Sequence, residues 1–460
     1  MLFSSIVFLY AFLPVTLLIY YAVPKKARNH VLLLASLFFY FYGEQEYTLL
    51  LLFSSVSDYV HGLYMSKYPG TKKAKIALVS SIVINLGMLG IFKYTDFFLS
   101  TVNSLTGAGI PLPHLALPIG ISFFTFQTMS YSIDVYRGEA KVERNFLSFA
   151  TYVCLFPQLV AGPIVRYTDI DRELNERTLS LERFSLGARR FCVGLGKKVL
   201  IANLLGELVA IYHASPDQTV VFAWFSGLSY MLQIYYDFSG YSDMAIGLGH
   251  MLGFSFPENF NYPFCSKNVT EFWRRWHMTM SFWFRDYVYI PLGGNRCSSG
   301  RWVFNVMTVW FLTGLWHGAA WNFVVWGVSY GLILLAEKFF LGKILDRMGP
   351  LSYVYQLLVS VVLFTVFGGS GTAGILHDLS LLFGGGELVN AGTLYYVRSY
   401  AAVFIAAAVG ATPLIKTLAR KVESTKAVVV LEPLLIGCLL LLSTAYLIDG
   451  SFNPFLYFRF

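Results

Sequence analysis

The sequence predicts an all-α, polytopic integral membrane protein with about twelve membrane-crossing or re-entrant helices. Three observations predict it. Only 13% of the residues are charged and 56% are apolar, against about 25% charged in soluble domains. Apolar runs recur along the whole length, at residues 2–23, 76–92, 397–415 and 427–448 among others, and several match the roughly 20 residues that cross a hydrocarbon core. Lys and Arg cluster in alternate intervals between those runs.

The elements follow in order. The run 2–23 lacks the basic start and small-residue cleavage site of a secretory signal, so it is expected to remain as the first helix. Lys25, Lys26 and Arg28 follow it, and no Lys or Arg intervenes before the cluster Lys67, Lys72, Lys73 and Lys75. Cytoplasmic loops carry the excess of such residues. Both clusters are therefore expected inside, the stretch between them forms a hairpin tipped by Glu44, Gln45 and Glu46, and the N-terminus lies outside. By the same rule residues 101–114 lie outside and Arg137, Lys141 and Arg144 inside. Residues 146–165 are apolar but interrupted by Pro157, Gly162 and Pro163, which suits a re-entrant element, since broken backbone at membrane depth survives only where protein buries it.

Residues 166–198 combine Arg166, Arg172, Arg177, Arg183, Arg189, Arg190, Lys197 and Lys198 with acids and periodic apolar residues, the pattern of an amphipathic helix on the inner surface. Spans are expected near 199–214 and 219–250. Residues 255–301 are too polar to cross. Spans resume near 302–318, 321–340, 353–386 with a break, 397–415 and 427–448. Lys416, Arg420, Lys421 and Lys426 put the last loop inside and the C-terminus outside. Without a repeat or linker, residues 1–460 read as one domain of the cell membrane, ending in an extracellular aromatic tail, 449–460.

Composition also bounds the chemistry. The cysteines, Cys154, Cys192, Cys265, Cys297 and Cys438, are scattered, with no CxxC pair and no His at metal-ligand spacing, so neither a metal nor a disulfide framework is expected. A net charge of +8 in a membrane protein implies basic loops beside anionic lipid first and an anionic substrate second. Nucleic acid is not an expected partner.

Two histidines stand out. His277 lies in EFWRRWHMTMSFWFRDYVYIPLGGNR (271–296), and His317 lies in GLWHGAAW (314–321), within an apolar helix loosened by Gly314 and Gly318. An ionisable side chain inside a membrane span is costly, so one that persists is a functional candidate. Cross-helix hydrogen bonding by His317 and close packing by the glycines explain the same residues. His277, beside Arg274, Arg275 and Trp276, also fits a surface hydrogen-bond donor.

TEFWRRWHMTMSFWFRDYVYIPLGGNR (270–296) is followed by LTGLWHGAAWNFVVWG (312–327), and with PQLVAGPIVRY (157–167), the opening FSSIVFLYAFLP (3–14) and the terminal NPFLYFRF (453–460) it closely resembles the membrane-bound O-acyltransferase family. The resemblance is to the bacterial branch that serves O-acetylation of alginate and peptidoglycan, and it runs from end to end. It implies a ring of helices around a thin central region, with His317 catalytic and His277 assisting. It further implies acetyl-CoA as donor substrate with no bound cofactor, a polysaccharide acceptor, and an extracellular SGNH-hydrolase-like acyltransferase partner. One word departs from the family pattern: VLFTVFGGSGTAG (362–374) stands where relatives often carry a Trp and an FRA-like word, which puts the contacts of that helix in question.

The residue types suit acyl transfer independently. A hydroxyl attacking a thioester needs a base, and His is the side chain most often used near neutral pH. The thiolate leaves without a metal. A transient oxyanion needs donors, which His277, the indole of Trp276 or Trp316, or a backbone N–H near Gly318 could supply.

Two other readings stay open. A D-alanyl transfer protein for teichoic acids would take its thioester from an acyl carrier protein, docked on the basic stretch Arg166 to Lys198, although the same stretch could simply lie on anionic membrane lipid. A transporter or flippase for a lipid-linked polysaccharide would also place polar residues on broken helices, but ionisable residues are sparse in the later spans and no internal repeat is visible. The tail DGSFNPFLYFRF (449–460) is either an interfacial aromatic belt or a segment that folds back. Its twelve residues reach on the order of 40 Å when extended, beyond the thickness of a hydrocarbon core. Its ending resembles the partner peptide of teichoic acid D-alanylation systems, which implies Tyr457 as an acyl relay activated by His317.

Overall fold

Backbone polar groups in hydrocarbon have no water to bond, and among the described residues the chain meets that demand with helices and no strands. The computed structural model describes every residue except 370, 423–425, 451, 455 and 457–460. It forms two compact units, Met1–Phe191 with Ser242–Glu258, and Cys192–Tyr241 with Asn259–Phe460.

The first unit holds α1 (Phe8–Ala22), α2 (Arg28–Glu44), α3 (Tyr47–Lys67), α4 (Lys72–Thr106), α5 (Ile121–Arg137), α6 (Phe146–Cys154), α7 (Phe156–Leu159), α8 (Tyr167–Asn175) and the start of α9 (Leu181–Gly196). Helices α3, α4 and α5 are joined by a buried polar cluster. The Asp58 carboxylate accepts from Ser81 (2.5 Å), Asn85 (2.8 Å) and Ser132 (3.1 Å), the kind of interhelical bonding that replaces the missing hydrophobic drive in lipid.

Two segments bear on the expected topology. Helix α6 rises only about 14 Å, less than half of a hydrocarbon core, and the chain breaks at Leu155 before α7, with Pro157 in its first turn. Every residue from Ser148 to Val165 is buried in protein, which is where broken backbone can persist. The amphipathic stretch 166–198 is two helices rather than one. Its break falls at residues 176–180, because the Ser180 hydroxyl accepts from the Arg183 N–H (3.1 Å) and starts a new helix.

The second unit holds a π-helical stretch (Lys197–Ala202), α10 (Asn203–Ala214), most of α11 (Val220–Leu252), the short α12 (Val269–Trp273) and α13 (Met278–Phe284), then α14 (Ser299–His317), α15 (Trp321–Ala336), α16 (Leu351–Gly368), α17 (Gly371–Leu382), α18 (Ala391–Gly410), α19 (Leu414–Val422) and α20 (Lys426–Asp449). The polar region 255–301 contains only short helices.

Among the described residues, five helices are long and apolar enough to cross a membrane on length and composition: Lys72–Thr106, Trp321–Met348, Leu351–Gly368, Ala391–Gly410 and Val430–Asp449. Others are diluted by an inward polar face. Helix α3 buries Ser54, Ser55 and Asp58, and α11 buries Ser226, Ser229, Gln233 and Asp237. Large apolar side chains instead stand on the outside, Leu34 at 67% and Leu434 at 61% exposure, as a lipid-facing surface requires. The chain is a multi-pass, all-helical membrane protein.

Candidate active site

The site is built in the second unit, from the α12–α13 segment upward. The start of α12 is held by Glu337, whose carboxylate accepts from the Val269 N–H (2.7 Å), the Thr270 N–H (3.0 Å) and the Thr270 hydroxyl (2.7 Å). An anion at a helix N-terminus satisfies donors that lack intrahelical partners. From this fixed start the chain runs through Arg274, Arg275 and Trp276 to His277, which adopts a left-handed backbone conformation (φ 44°, ψ 52°) as the residue before α13. That conformation costs about 1–2 kcal/mol for a side chain with a Cβ. It turns the imidazole fully into the interior.

Asn259 then fixes the ring. Its carbonyl accepts from the Met278 N–H (3.0 Å), and its side-chain oxygen lies 3.1 Å from His277 Nδ1 and 2.9 Å from the Thr279 hydroxyl. The Thr279 backbone N–H, 3.4 Å from the same Asn259 atom, can only donate, so that atom is the amide oxygen. An amide oxygen only accepts, which places the imidazole proton on Nδ1 and a lone pair on Nε2. Nε2 is buried without a hydrogen-bond partner among the described residues.

His317 ends α14, because Gly318 and Ala320 are both extended and α15 starts only at Trp321. Its imidazole is 4% exposed and lies 6.5 Å from that of His277, centroid to centroid. Trp316 (5.1 Å), Trp326 (5.0 Å) and Phe367 (5.4 Å) surround it. Trp316 also reaches His277 (5.8 Å), and Phe238 meets His277 edge-on at 4.6 Å. Two histidines forty residues apart in sequence thus share one aromatic chamber.

The remaining predicted positions sit as follows. Trp276 is buried but stacks on Phe272 (5.4 Å) and faces Phe364 (5.3 Å). A Cβ on Gly318 would fall 2.1 Å from the Phe323 ring, and one on Gly314 would fall 2.4 Å from the Phe323 carbonyl oxygen. The space these glycines leave is filled by Phe323, and the Gly318 N–H points back to the Gly314 carbonyl at 3.4 Å. Helix α16, which carries the departing word VLFTVFGG, does reach the chamber through Phe364 and Phe367. Tyr457 lies outside the described residues. Of the described tail residues, Leu456 donates its N–H to Asp237 Oδ2 (2.9 Å), next in sequence to the Phe238 that touches His277.

Sequence reasoning missed Asn259, Phe238, Trp326 and Phe367. The Trp326 indole N–H is buried without a hydrogen-bond partner among the described residues, 5.0 Å from His317 between ring centroids. Two cavities lie near the chamber, neither of them lined by its residues. One of about 220 Å³ is lined by Trp273, Arg274, Ser281, Arg285, Trp310 and Thr313, and Trp273 packs on Trp326 (5.8 Å). The other, about 240 Å³, is lined by Tyr230, Gln233, Gly368 and the tail residues Phe452, Pro454 and Leu456 among others, and Gly368 follows Phe367. Among the described residues no group of three or more His, Cys, Asp or Glu could hold a metal ion.

In the first unit the basic stretch is largely engaged within the molecule. Arg166 pairs with Asp169 (3.4 Å), Arg183 with Glu173 (3.8 Å) and Arg190 with Asp243 (2.8 Å) and Glu258 (2.5 Å). The Arg177 guanidinium lies over the Phe254 ring at 4.7 Å.

The sequence profile of the membrane-bound O-acyltransferase family matches residues 37–345. A protein of Azotobacter vinelandii named probable alginate O-acetylase AlgI is 43% identical over 373 residues, 80% of this chain and 75% of that one. The peptidoglycan O-acetyltransferase of Helicobacter pylori is 36% identical over 371 residues, 74% of this chain and 70% of that one. The teichoic acid D-alanyltransferase of Bacillus subtilis is 29% identical over 251 residues, 50% of this chain and 62% of that one.

Proposed function

The chain belongs to the membrane-bound O-acyltransferase family, and on that premise we propose that it carries an acetyl group from cytoplasmic acetyl-CoA to a hydroxyl beyond the membrane, for O-acetylation of an exopolysaccharide or peptidoglycan. The observation that carries this reading is the buried pair His277 and His317 in an aromatic chamber. By the distribution of Lys and Arg, both termini lie outside and the polar region 255–301 lies inside. Helices α2, α3, α5, α10, α11 and α14 then complete about twelve crossing or re-entrant elements.

In the transfer step His317 takes the proton of the acceptor hydroxyl, and the oxygen attacks the thioester carbonyl. The tetrahedral intermediate collapses with loss of the thiolate, which receives the proton from His317. His277 presents a lone pair at Nε2, not a donor, so it assists by accepting a hydrogen bond within the chamber. The oxyanion then needs another donor, and the Trp326 indole N–H is buried and unpartnered beside His317. An unmade hydrogen bond of that kind costs about 1–3 kcal/mol, which a developing negative charge would recover.

The cavity lined by Arg274 suits the phosphates of coenzyme A, while Arg285 in the same lining pairs with Asp286 (2.7 Å). A carrier protein is a poorer fit, because Arg166, Arg177, Arg183 and Arg190 are already occupied. On the outer side the acceptor is the Tyr457 phenol. Its oxygen displaces the thiolate to form an aryl ester, and a serine of an extracellular SGNH-hydrolase-like partner then displaces the phenolate, which is reprotonated. A phenolate, with a pKa near 10, leaves far more readily than an alkoxide. Supporting this, the Leu456 N–H donates to Asp237, the chain neighbour of the Phe238 that meets His277, and Tyr457 is the next residue in sequence.

The test is inside-out membrane vesicles given radiolabelled acetyl-CoA without added carrier. Label is expected to appear as hydroxylamine-sensitive ester on the protein or its acceptor. Strict dependence on an acidic carrier protein would select D-alanyl transfer, and movement of an intact saccharide without any ester would select transport.

A further inference from the structure

Lys198 and Asp237 form a buried ion pair that takes no part in the chemistry above. Lys198 Nζ lies 2.6 Å from Asp237 Oδ1, with the side chains 3% and 2% exposed. Charges kept at such depth are a functional candidate, and each of these makes a second contact, to the main chain of the C-terminal tail. Lys198 Nζ donates to the Pro454 carbonyl. Asp237 Oδ2 accepts from the Leu456 N–H at 2.9 Å. Beside them Asn203 Nδ2 donates to Asn453 Oδ1 at 3.2 Å. At Gly206 a Cβ would stand 2.9 Å from Phe452 Cε1 and 2.4 Å from Gln233 Nε2, so the glycine leaves room for the Phe452 ring.

These contacts are ordered. Tail residues Phe452, Asn453 and Pro454 meet Gly206, Asn203 and Lys198 in turn, so the tail runs antiparallel to one continuous helical segment. In a regular α-helix a spacing of five would turn Lys198 about 140° away from Asn203. The π-helical stretch Lys197–Ala202, in which the Asn203 N–H bonds to the Lys198 carbonyl, brings both to the same face. Helix α11 closes the other side with Asp237.

We propose that Lys198 and Asp237, with Asn203 and Gly206, form a receptor seat for a peptide main chain, occupied by Phe452, Asn453, Pro454 and Leu456 of this chain. The pair offers a donor to one tail carbonyl and an acceptor to one tail N–H, so it reads the main chain and sets how deep the tail's end reaches. The effect on acyl transfer rests on the relay reading; the seat itself does not.

The experiment is disulfide trapping in the full-length protein with its five cysteines replaced, carrying Asn203→Cys and Asn453→Cys. Rapid oxidative crosslinking is expected with Lys198 and Asp237 in place. The exchange Lys198→Asp with Asp237→Lys keeps an ion pair but reverses donor and acceptor, so it is expected to slow crosslinking at least tenfold. Lys198→Met with Asp237→Leu, which strands no charge, is expected to do the same. Unchanged crosslinking in the exchanged protein would overturn the seat, as would failure of both double variants to accumulate in the membrane, since the pair would then be fold support. Slowed crosslinking with unaltered acyl transfer would sustain the seat and remove the relay.

Discussion

At the scale of single residues the two histidines are not equivalent. Asn259 sets the His277 tautomer, so His277 can accept but not donate at Nε2, while His317 ends a helix inside a shell of Trp316, Trp326 and Phe367. His317→Ala is therefore expected to lower acyl transfer by about 10²- to 10⁴-fold, the usual worth of a positioned base, with His277→Ala less damaging. Trp326→Phe keeps the packing and removes one donor, for an expected loss of about 10²-fold. Ester product measured at matched membrane abundance checks the series, and near-normal product from His317→Ala would remove the assignment. The histidines were legible because an ionisable group in an apolar run is conspicuous in sequence. Asn259 and Trp326 were not, since an Asn in a polar loop and a Trp in a span are unremarkable until the fold brings them to an imidazole. Asp237 was legible in principle, because an acid within α11 meets the criterion that singled out His317.

At the scale of elements, the placement of His277 depends on where α12 begins, which the Asn268 cap and the Glu337 carboxylate hold together. Removing that carboxylate strands the buried Val269 N–H, the partly buried Thr270 N–H and the hydroxyls of Thr270 and Tyr355, and a buried donor left unmade costs about 1–3 kcal/mol. Glu337→Ala is expected to lower both membrane abundance and the midpoint of thermal unfolding in detergent, and Glu337→Gln, which keeps an acceptor, to lower them less. Equal behaviour of the two variants would show that packing, not acceptance, fixes α12. Apolar runs and their breaks by Pro and Gly gave most helices directly, including the interruption near Pro157. The division of 166–198 was missed because its amphipathic periodicity continues across Ser180, whose capping role emerges only from the backbone bond it makes.

At the scale of the whole molecule, the chain brings described residues of its own tail into the unit that holds the histidines. Charge distribution and run length made the membrane class legible, and twelve terminal residues were seen to be long enough to return. Their path was not, because the seat at Lys198, Asn203 and Asp237 draws on two distant helices. The described tail reaches Leu456, and the relay requires the hydroxyl of the next residue. Tyr457→Phe keeps ring, volume and packing and removes only the nucleophile, so it separates a relay from an aromatic anchor. Acyl transfer to the extracellular acceptor is expected to fall to background, with membrane abundance and Asn203–Asn453 crosslinking unchanged. After incubation with labelled acetyl-CoA, mass spectrometry of the C-terminal peptide is expected to find an acetyl group on Tyr457 in the unaltered protein, accumulating when the extracellular partner is absent. Wild-type transfer by Tyr457→Phe would instead make the tail an anchor and require the acceptor hydroxyl to come from the partner or the polysaccharide itself.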